Sequence, residues 1–322
     1  MLQFSVIIPA YNRANLIGQT IESLINQTFP SDSYEILVCD NNSEDNTKEV
    51  VESFIKNKRD VKIRYFLERR QGVHFARNAT AQKAEGKYFY FTDDDMIANF
   101  NILEEFSKWI KIFPEVKVFG GKVLPKWATN PPFWITQFFA NSTLSLIDRS
   151  EEILISQTDP GIASCHQLIC RDIFFEAGGF RPEYTKDEWL GDGETGLNLQ
   201  ISRLGYLFGY FSSAITHHII PSQRMTMEYI CKRFKNQGQA DAFTYYRAFE
   251  PSNRILQKLK LRHSLLSWNE QLKAILLKCR GREEWRLHQA NSSLEAGFSS
   301  YAKKLITCPK LRKIVVKKSY LD

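Results

Sequence analysis

The chain has 322 residues, 43% hydrophobic and 13% aromatic, enough for a sizeable packed core and inconsistent with a disordered chain. Its net charge of +7 is unevenly placed: from Pro221 to Asp322 there are 21 Lys and Arg against 8 Asp and Glu, while the residues before carry 22 against 28. An acidic first two-thirds and a basic tail suggest two jobs; such a tail suits nucleic acid, an anionic membrane surface or a phosphorylated partner, or is a solvated helical surface.

In chain order, FSVIIPAYN (4–12) is a short apolar run stopped by Pro9, the pattern of a strand buried on both faces. Leu16, Ile17, Ile21, Leu24 and Ile25 then recur at helical spacing. YEILVCDNNS (34–43) is a second strand, followed by a helix with Val50, Val51, Phe54 and Ile55 on one face. VKIRYFLE (61–68) predicts a third strand, GVHFARNATAQKAEG (72–86) a helix, and KYFYFTDDD a fourth strand. Strands alternating with helices predict an α/β fold with a doubly wound, mostly parallel sheet and helices on both faces. Ligands bind such sheets at the carboxyl ends of the strands. Tyr11-Asn12-Arg13, Asp40-Asn41-Asn42 and Asp93-Asp94-Asp95 all follow strand ends, so one cleft is expected.

Beyond residue 100 the pattern loosens. A helix over 101–112 precedes the strand VKVFGGKVLP, and WATNPPFW (127–134) is a Pro/aromatic loop. Residues 135–160 read as irregular or partly helical. CHQLICRDIFFEAGGF (165–180) predicts a strand, a helix and a Gly-Gly stop. An acidic loop becomes a helix over 187–206, and YLFGYFSSAITHHII closes the domain near residue 222, with halves at 1–100 and 101–222. Residues 223–322 are basic and helical in pattern.

In an extended strand end, side chains i and i+2 point the same way, so Asp93 and Asp95 are expected to share a side with Asp94 opposite or on the turn. Two such carboxylates can seat Mg²⁺ or Mn²⁺ together with substrate phosphates. The alternative is an acidic loop capping the next helix.

The ordered set SVIIPAYNR, ILVCDNNSEDNT, GVHFARNATAQKAEGKYFYFTDDDM, EAGGF, GDGETGLNLQISRLGY and AITHHII resembles glycosyltransferase family 2 over about residues 3–220. That resemblance implies a GT-A fold and an inverting, nucleotide-sugar-dependent enzyme using Mn²⁺ or Mg²⁺. It implies that Pro9, Ala10, Tyr11 and Arg13 line the nucleobase pocket. Asp40 would bond the base or ribose, with Asn42 nearby, and Arg77 would meet the ribose or diphosphate. Asp93 would contact ribose or metal-bound water and Asp95 the metal, with Asp94 in the variable middle position. The family's usual Glu-Asp pair is replaced here by GDGETGL, so the catalytic base falls to Glu194 or, second, Asp192. A histidine completing the metal site is His217 or His218, with His217 preferred.

Trp127, Trp134 and Trp189 are acceptor-platform candidates, since sugars stack on flat apolar faces; ordinary packing is the alternative. After His218, Arg224, Lys232, Arg233 and Lys235 alternate with Met225, Met227, Tyr229, Ile230 and Phe234. This reads as an amphipathic helix that covers the cleft, packs on the main domain, or rests on an anionic membrane carrying a lipid-linked acceptor. The expected partners are thus a nucleotide-sugar donor and a glycan or lipid-linked acceptor, with no nucleic acid. Cys39, Cys165, Cys170, Cys231, Cys279 and Cys308 fit neither C-x-x-C nor zinc spacing and read as free thiols. With no signal-peptide start and no run of eighteen apolar residues, the expected location is cytoplasmic, at most peripheral to the membrane. Two rival functions remain: a nucleotidyltransferase, which would want a Gly-rich phosphate loop where PAYNRANL stands, and a non-catalytic sugar- or nucleotide-binding protein.

Overall fold

The computed structural model describes residues 2–57, 60–141, 143–149, 153–181 and 191–321. Strands β1 (Phe4–Ala10), β2 (Tyr34–Asp40), β3 (Lys62–Leu67) and β4 (Tyr88–Thr92) lie parallel in the order β3-β2-β1-β4. Every residue of β1 and β2 is buried, which is why both read as unbroken rather than alternating apolar runs. The crossovers carry helices α1 (Ile17–Ile25), α2 (Thr47–Lys56) and α3 (Val73–Ala81). On α1 the buried side chains are Ile17, Thr20, Ile21 and Leu24, one stripe at helical spacing against the sheet. Burying each such aliphatic side chain contributes about 2 kcal/mol.

The second half of the sheet mixes directions. Antiparallel to β4 runs β8 (His166–Cys170), then β6 (Val116–Trp127), then β9 (Leu207–Ile220) parallel to β6. Short β5 (Met96–Ala98) and β7 (Ile153–Ser156) pair with β9 antiparallel. Three helices, α4 (Ile102–Ile112), α5 (Arg171–Glu176) and α6 (Gly193–Arg203), complete this part. The α/β class, the parallel first half and most predicted elements stand. Three local expectations change. Helix α3 stops at Ala81, short of Gly86. Residues 135–160, expected to be irregular or partly helical, share the 3-10 segment Phe133–Asn141 but also contain an unexpected strand, β7. The strand carrying KYFYFT ends at Thr92, and Asp93–Asp95 form a turn into β5 rather than an extended end.

The basic tail folds into α7 (Met227–Phe249), α8 (Asn253–Cys279), α9 (Trp285–Thr307) and α10 (Pro309–Val315). Thr226 caps α7, its hydroxyl accepting the Tyr229 N–H at 3.2 Å. Helices α7 and α9 touch at glycines: a Cβ on Gly238 would stand 1.9 Å from the Leu294 carbonyl oxygen, and one on Gly297 2.1 Å from that of Lys235. The tail does not stand apart at residue 222. Ile230 and Phe234 of α7 share an apolar cluster with Ile135, Phe138 and Ile220. Farther on, the Tyr320 carbonyl accepts the Asn78 side-chain N–H of α3 at 3.1 Å, and the Tyr320 N–H donates to the Gly178 carbonyl at 3.2 Å.

Candidate active site

A cleft of about 420 Å³ opens at the carboxyl ends of β1, β2 and β4. All three carboxylates of the DDD turn line it, and each meets a different arginine. Asp93 accepts from Arg77 of α3 at 2.5 Å, Asp94 from the Nε of Arg13 at 3.1 Å, and Asp95 from Arg224 at 2.7 Å. Charge-assisted bonds of this kind offset the repulsion among three adjacent acids. Asp94, the position expected to be incidental, has a structural task. Its carboxylate also accepts the Tyr11 backbone N–H at 3.4 Å, and its carbonyl accepts the Thr20 hydroxyl at 2.9 Å. It therefore ties the loop after β1 to the DDD turn. Burial, and then the neighbouring charge of Asp95, push the Asp94 carboxyl above its ordinary range. Burial also pushes Asp95 upward, but His218 and the Arg224 guanidinium outweigh it and hold Asp95 below the usual carboxylate value.

The histidine beside Asp95 is His218, not the preferred His217. Successive residues of β9 face opposite sides of the sheet, so only one of the pair can turn to the cleft. His218 Nε2 lies 3.6 Å from Asp95 Oδ1, and its Nδ1–H donates to the Leu144 carbonyl at 2.7 Å. That bond turns Nε2 toward Asp95 and Arg224, as outer hydrogen bonds orient metal-binding histidines. His217 sits outside the cleft lining; burial, followed by the charge of Lys126, lowers its pKa. Arg224 donates to both His218 Nε2, at 2.5 Å, and Asp95 Oδ2, so a cation already bridges these two groups. Among the described residues no three His, Cys, Asp or Glu side chains cluster as a metal cage.

On the opposite side a chain of hydrogen bonds runs from Asp93 to Glu194. Arg77, buried, bonds Asp93 with one nitrogen and the Ser164 Oγ with the other at 2.8 Å; the Ser164 hydroxyl donates to Glu194 Oε2 at 3.2 Å. Glu194 lies in the first turn of α6 and borders two spaces. One is the main cleft. The other, about 380 Å³, is lined by Phe234, Gln237, Asn291 and Leu294 and shares Ser145, Ala163, Glu194 and Arg233 with the first. Gly193 makes this position of Glu194 possible. Its φ is +40°, and a Cβ there would stand 2.4 Å from the His74 ring. Asp192, the second candidate base, is elsewhere. Its buried carboxylate accepts from Arg181 at 3.4 Å and from the Thr244 hydroxyl at 3.3 Å, outside the cleft lining. Burial raises its pKa.

Pro9, Ala10, Tyr11 and Arg13 line the cleft as expected. Asp40 does not: it is buried behind the lining, where it accepts the Ser43 N–H at 2.7 Å and the Tyr65 hydroxyl at 2.8 Å. The neighbouring Asn41 lines the cleft instead, its side-chain oxygen accepting the Gly72 N–H at 2.7 Å. Asn42 is exposed with φ +67°. Trp127 and Trp134 pack beside the Ile135–Phe138 cluster, away from the lining, and Arg286 lies over the Trp134 ring. Trp189 falls outside the described residues. Of the tail, Arg224 just before α7 and Tyr229 and Arg233 of α7 line the cleft, so α7 borders the cleft as well as packing on the main domain. Asn41, Ser164, Gly72 and Tyr229 were not singled out for the site. Ser164 in particular carries no local signal, since it reaches Glu194 only across 30 residues of chain.

A half-parallel, half-mixed sheet with acidic strand-end groups over a cleft defines a glycosyltransferase-type α/β fold of the GT-A class. The mannosyltransferase PcManGT of Pyrobaculum calidifontis, solved with GDP-Man and Mn²⁺, superposes on it with a TM-score of 0.58 at 19% identity, covering 99% of this chain and 84% of that one. Residues 5–177 match the family model Glycosyl transferase family 2, and the chain belongs to that family. The poly(ribitol-phosphate) beta-N-acetylglucosaminyltransferase TarS of Staphylococcus aureus is 34% identical over 110 residues, 34% of this chain and 19% of TarS. The GalNAc(5)-diNAcBac-PP-undecaprenol beta-1,3-glucosyltransferase of Campylobacter jejuni is 40% identical over 97 residues, 30% of each chain. The matched stretches thus span less than a third of these curated relatives.

Proposed function

We propose that this protein is a metal-dependent, inverting glycosyltransferase. It moves a sugar from a nucleotide-sugar donor, a UDP-sugar by default, to a hydroxyl of a glycan or lipid-linked acceptor in surface polysaccharide synthesis. The observation that carries this reading is the place of Glu194, on the border between the carboxylate-lined cleft and a second cavity. A donor in the first space and an acceptor in the second would meet at that carboxylate. The relatives' polymer and undecaprenol-linked names support the acceptor class.

Each group then has a task. Tyr11, 46% exposed at the end of β1, offers a face for the base, and Asn41 a polar edge beside it. Asp95 and His218 Nε2 would hold Mn²⁺ or Mg²⁺, which when bound neutralises the donor diphosphate as a Lewis acid. Arg224 brings a second positive charge within reach of the same phosphates. Arg77 fixes Asp93 and, through Ser164, orients Glu194. Glu194 takes the proton from the acceptor hydroxyl as its oxygen bonds the anomeric carbon and the bond to the diphosphate oxygen breaks. One displacement on the face opposite the leaving group inverts that centre. A lipid-linked acceptor would hold the enzyme at the inner face of an anionic membrane, and the basic tail is the segment suited to meet it.

A thermal-shift panel of nucleotide sugars, with and without Mn²⁺, tests the reading. A donor that binds the folded state raises the midpoint, by an amount that grows with its concentration over Kd. The expected result is a Mn²⁺-dependent rise with one nucleotide class, lost in Asp95→Ala. No rise with any nucleotide sugar, or one unaffected by Asp95→Ala, would overturn it.

A further inference from the structure

Helix α8 carries apolar side chains on two faces. Its main packing partner among the described residues is α9, and the face it turns inward mixes Leu256, Leu259 and Ala274 with polar groups. There Ser264 meets Ser299 at 2.7 Å, the Ser267 hydroxyl donates to the Ser292 carbonyl at 2.9 Å, and Glu270 pairs with His288 at 2.7 Å. A second set of large apolar side chains points the other way. Leu261, Leu265 and Trp268 are each at least 60% exposed, and Leu272, Ile275 and Leu276 are exposed as well. Their spacing of four, three, four and three residues keeps them on one stripe, about 100° wide and about 22 Å long at helical rise. Exposed apolar patches of that extent mark a docking surface rather than ordinary surface composition.

The charge around the stripe selects the occupant. Helix α8 carries six Lys and Arg, all exposed, against one acid, Glu270, which pairs with His288 and, at 2.7 Å, with Lys273. Arg262 and Lys273 flank one side of the stripe and Lys260 and Lys278 the other, each roughly 100° from its midline by helix geometry. A second copy of the helix would bring these positive shoulders against each other, whereas paired helices use opposite charges there. An anionic lipid surface answers both features: acyl chains take the Leu/Ile/Trp stripe and headgroups take the cations. Trp268, central in the stripe, is the side chain that favours the headgroup boundary. No described helix is long and apolar enough to cross a membrane, so the geometry is that of a helix lying in the surface.

We propose that α8 is the membrane-docking element of this protein, lying in the plane of an anionic leaflet with Leu261, Leu265, Trp268, Leu272 and Ile275 inserted. The proposal deepens the membrane contact in the functional reading above, but its test does not depend on catalysis. The full-length chain is floated with vesicles of phosphatidylcholine and phosphatidylglycerol in a three-to-one ratio, and with phosphatidylcholine alone. The protein is expected to float with the anionic vesicles, to stay behind with the neutral ones, and to be released by high salt. The double variant Leu265→Glu/Leu272→Glu should lower the bound fraction about tenfold. Both sites are solvent-exposed, so its thermal midpoint and nucleotide-sugar binding should match the parent's. The proposal is overturned if the parent does not float, if the double variant floats as well as the parent, or if light scattering shows a dimer that the double variant dissolves. Flotation without any nucleotide-sugar binding would sink the glycosyltransferase reading and leave this one standing.

Discussion

On one side of the cleft, Pro9 near the end of β1, and Tyr11, Asn41 and Asp93 just after β1, β2 and β4, sit on strands whose backbones are paired on both edges. Their positions follow from sheet hydrogen bonding before any side-chain contact is counted. On the other side, Arg224, Tyr229 and Arg233 come from the approach to α7 and its first turns, and their positions depend on how α7 packs against α9 and the Phe138 cluster. The sheet wall is therefore rigid by topology, whereas the tail wall is only as fixed as one helix crossing. Glu194 stands where the two walls meet, and it is oriented from the sheet side, through Arg77 and Ser164.

Substitution at that junction should have the largest effect. Glu194→Gln keeps the shape of both walls and should lower kcat about a thousandfold while donor affinity, read by calorimetry, stays within a factor of two or so. Retained transfer would remove Glu194 as the base.

The sheet wall has a pH limit of its own. His166 on β8 accepts the Tyr90 hydroxyl at Nδ1, 2.9 Å, and donates from Nε2 to the Ala214 carbonyl, 3.0 Å. Burial lowers its pKa from 6.5 to about 4. Between those values the unfolded chain takes a proton that the folded one refuses, so stability is full above pH 6.5 and falls as the pH drops to about 4. The loss attributable to this group is about 3 kcal/mol. Urea midpoints across that range should slope accordingly, and His166→Gln should flatten the slope.

The tail wall is tested at Gly238. A methyl there would press on the Leu294 carbonyl and part α7 from α9. Gly238→Ala should cost about 2 kcal/mol in denaturant unfolding and raise the donor KM, whereas an alanine in the exposed face of α2 should do neither. The smallest effect is expected at Ser164→Ala, which leaves both walls intact and frees Glu194. It also removes a bond from buried Arg77, so it should lower kcat about tenfold with at most a small change in KM, and Ser164→Thr should restore much of the loss.

The same contrast explains what could be read from residues alone. Strands β1, β2 and β4 were legible because a strand buried on both faces must be apolar throughout, and the polar residues after them mark the cleft. Helix α6 was legible through its glycines. Strand β5 was not, since three residues carry no period. His218 was confused with His217 because which of two neighbours faces the cleft depends on the register of β9 with β5 and β6. Asp40 was misplaced because a strand-end carboxylate can turn inward to Tyr65 as readily as outward. Asp192 looked like a second base, yet Arg181 and Thr244 claim it from distant chain. The Arg224 bridge between Asp95 and His218 joins residues up to 129 positions apart, a separation no local pattern records.

The bond from Asn78 to the Tyr320 carbonyl sets a schedule for the molecule as well as a shape. Asn78 is the chain neighbour of Arg77; it bonds Phe180, and its other partner is 242 residues downstream. At about 5–20 residues per second of synthesis, roughly 12–50 s separate the emergence of Asn78 and Tyr320 from the ribosome. For the last part of that interval Asn78 has its bonds to Phe180 but not the one to Tyr320. A nascent chain arrested before residue 320 would carry every residue of the cleft and still lack this fastening behind it, so binding of donor by such a fragment would measure how much of the site is finished by synthesis order alone.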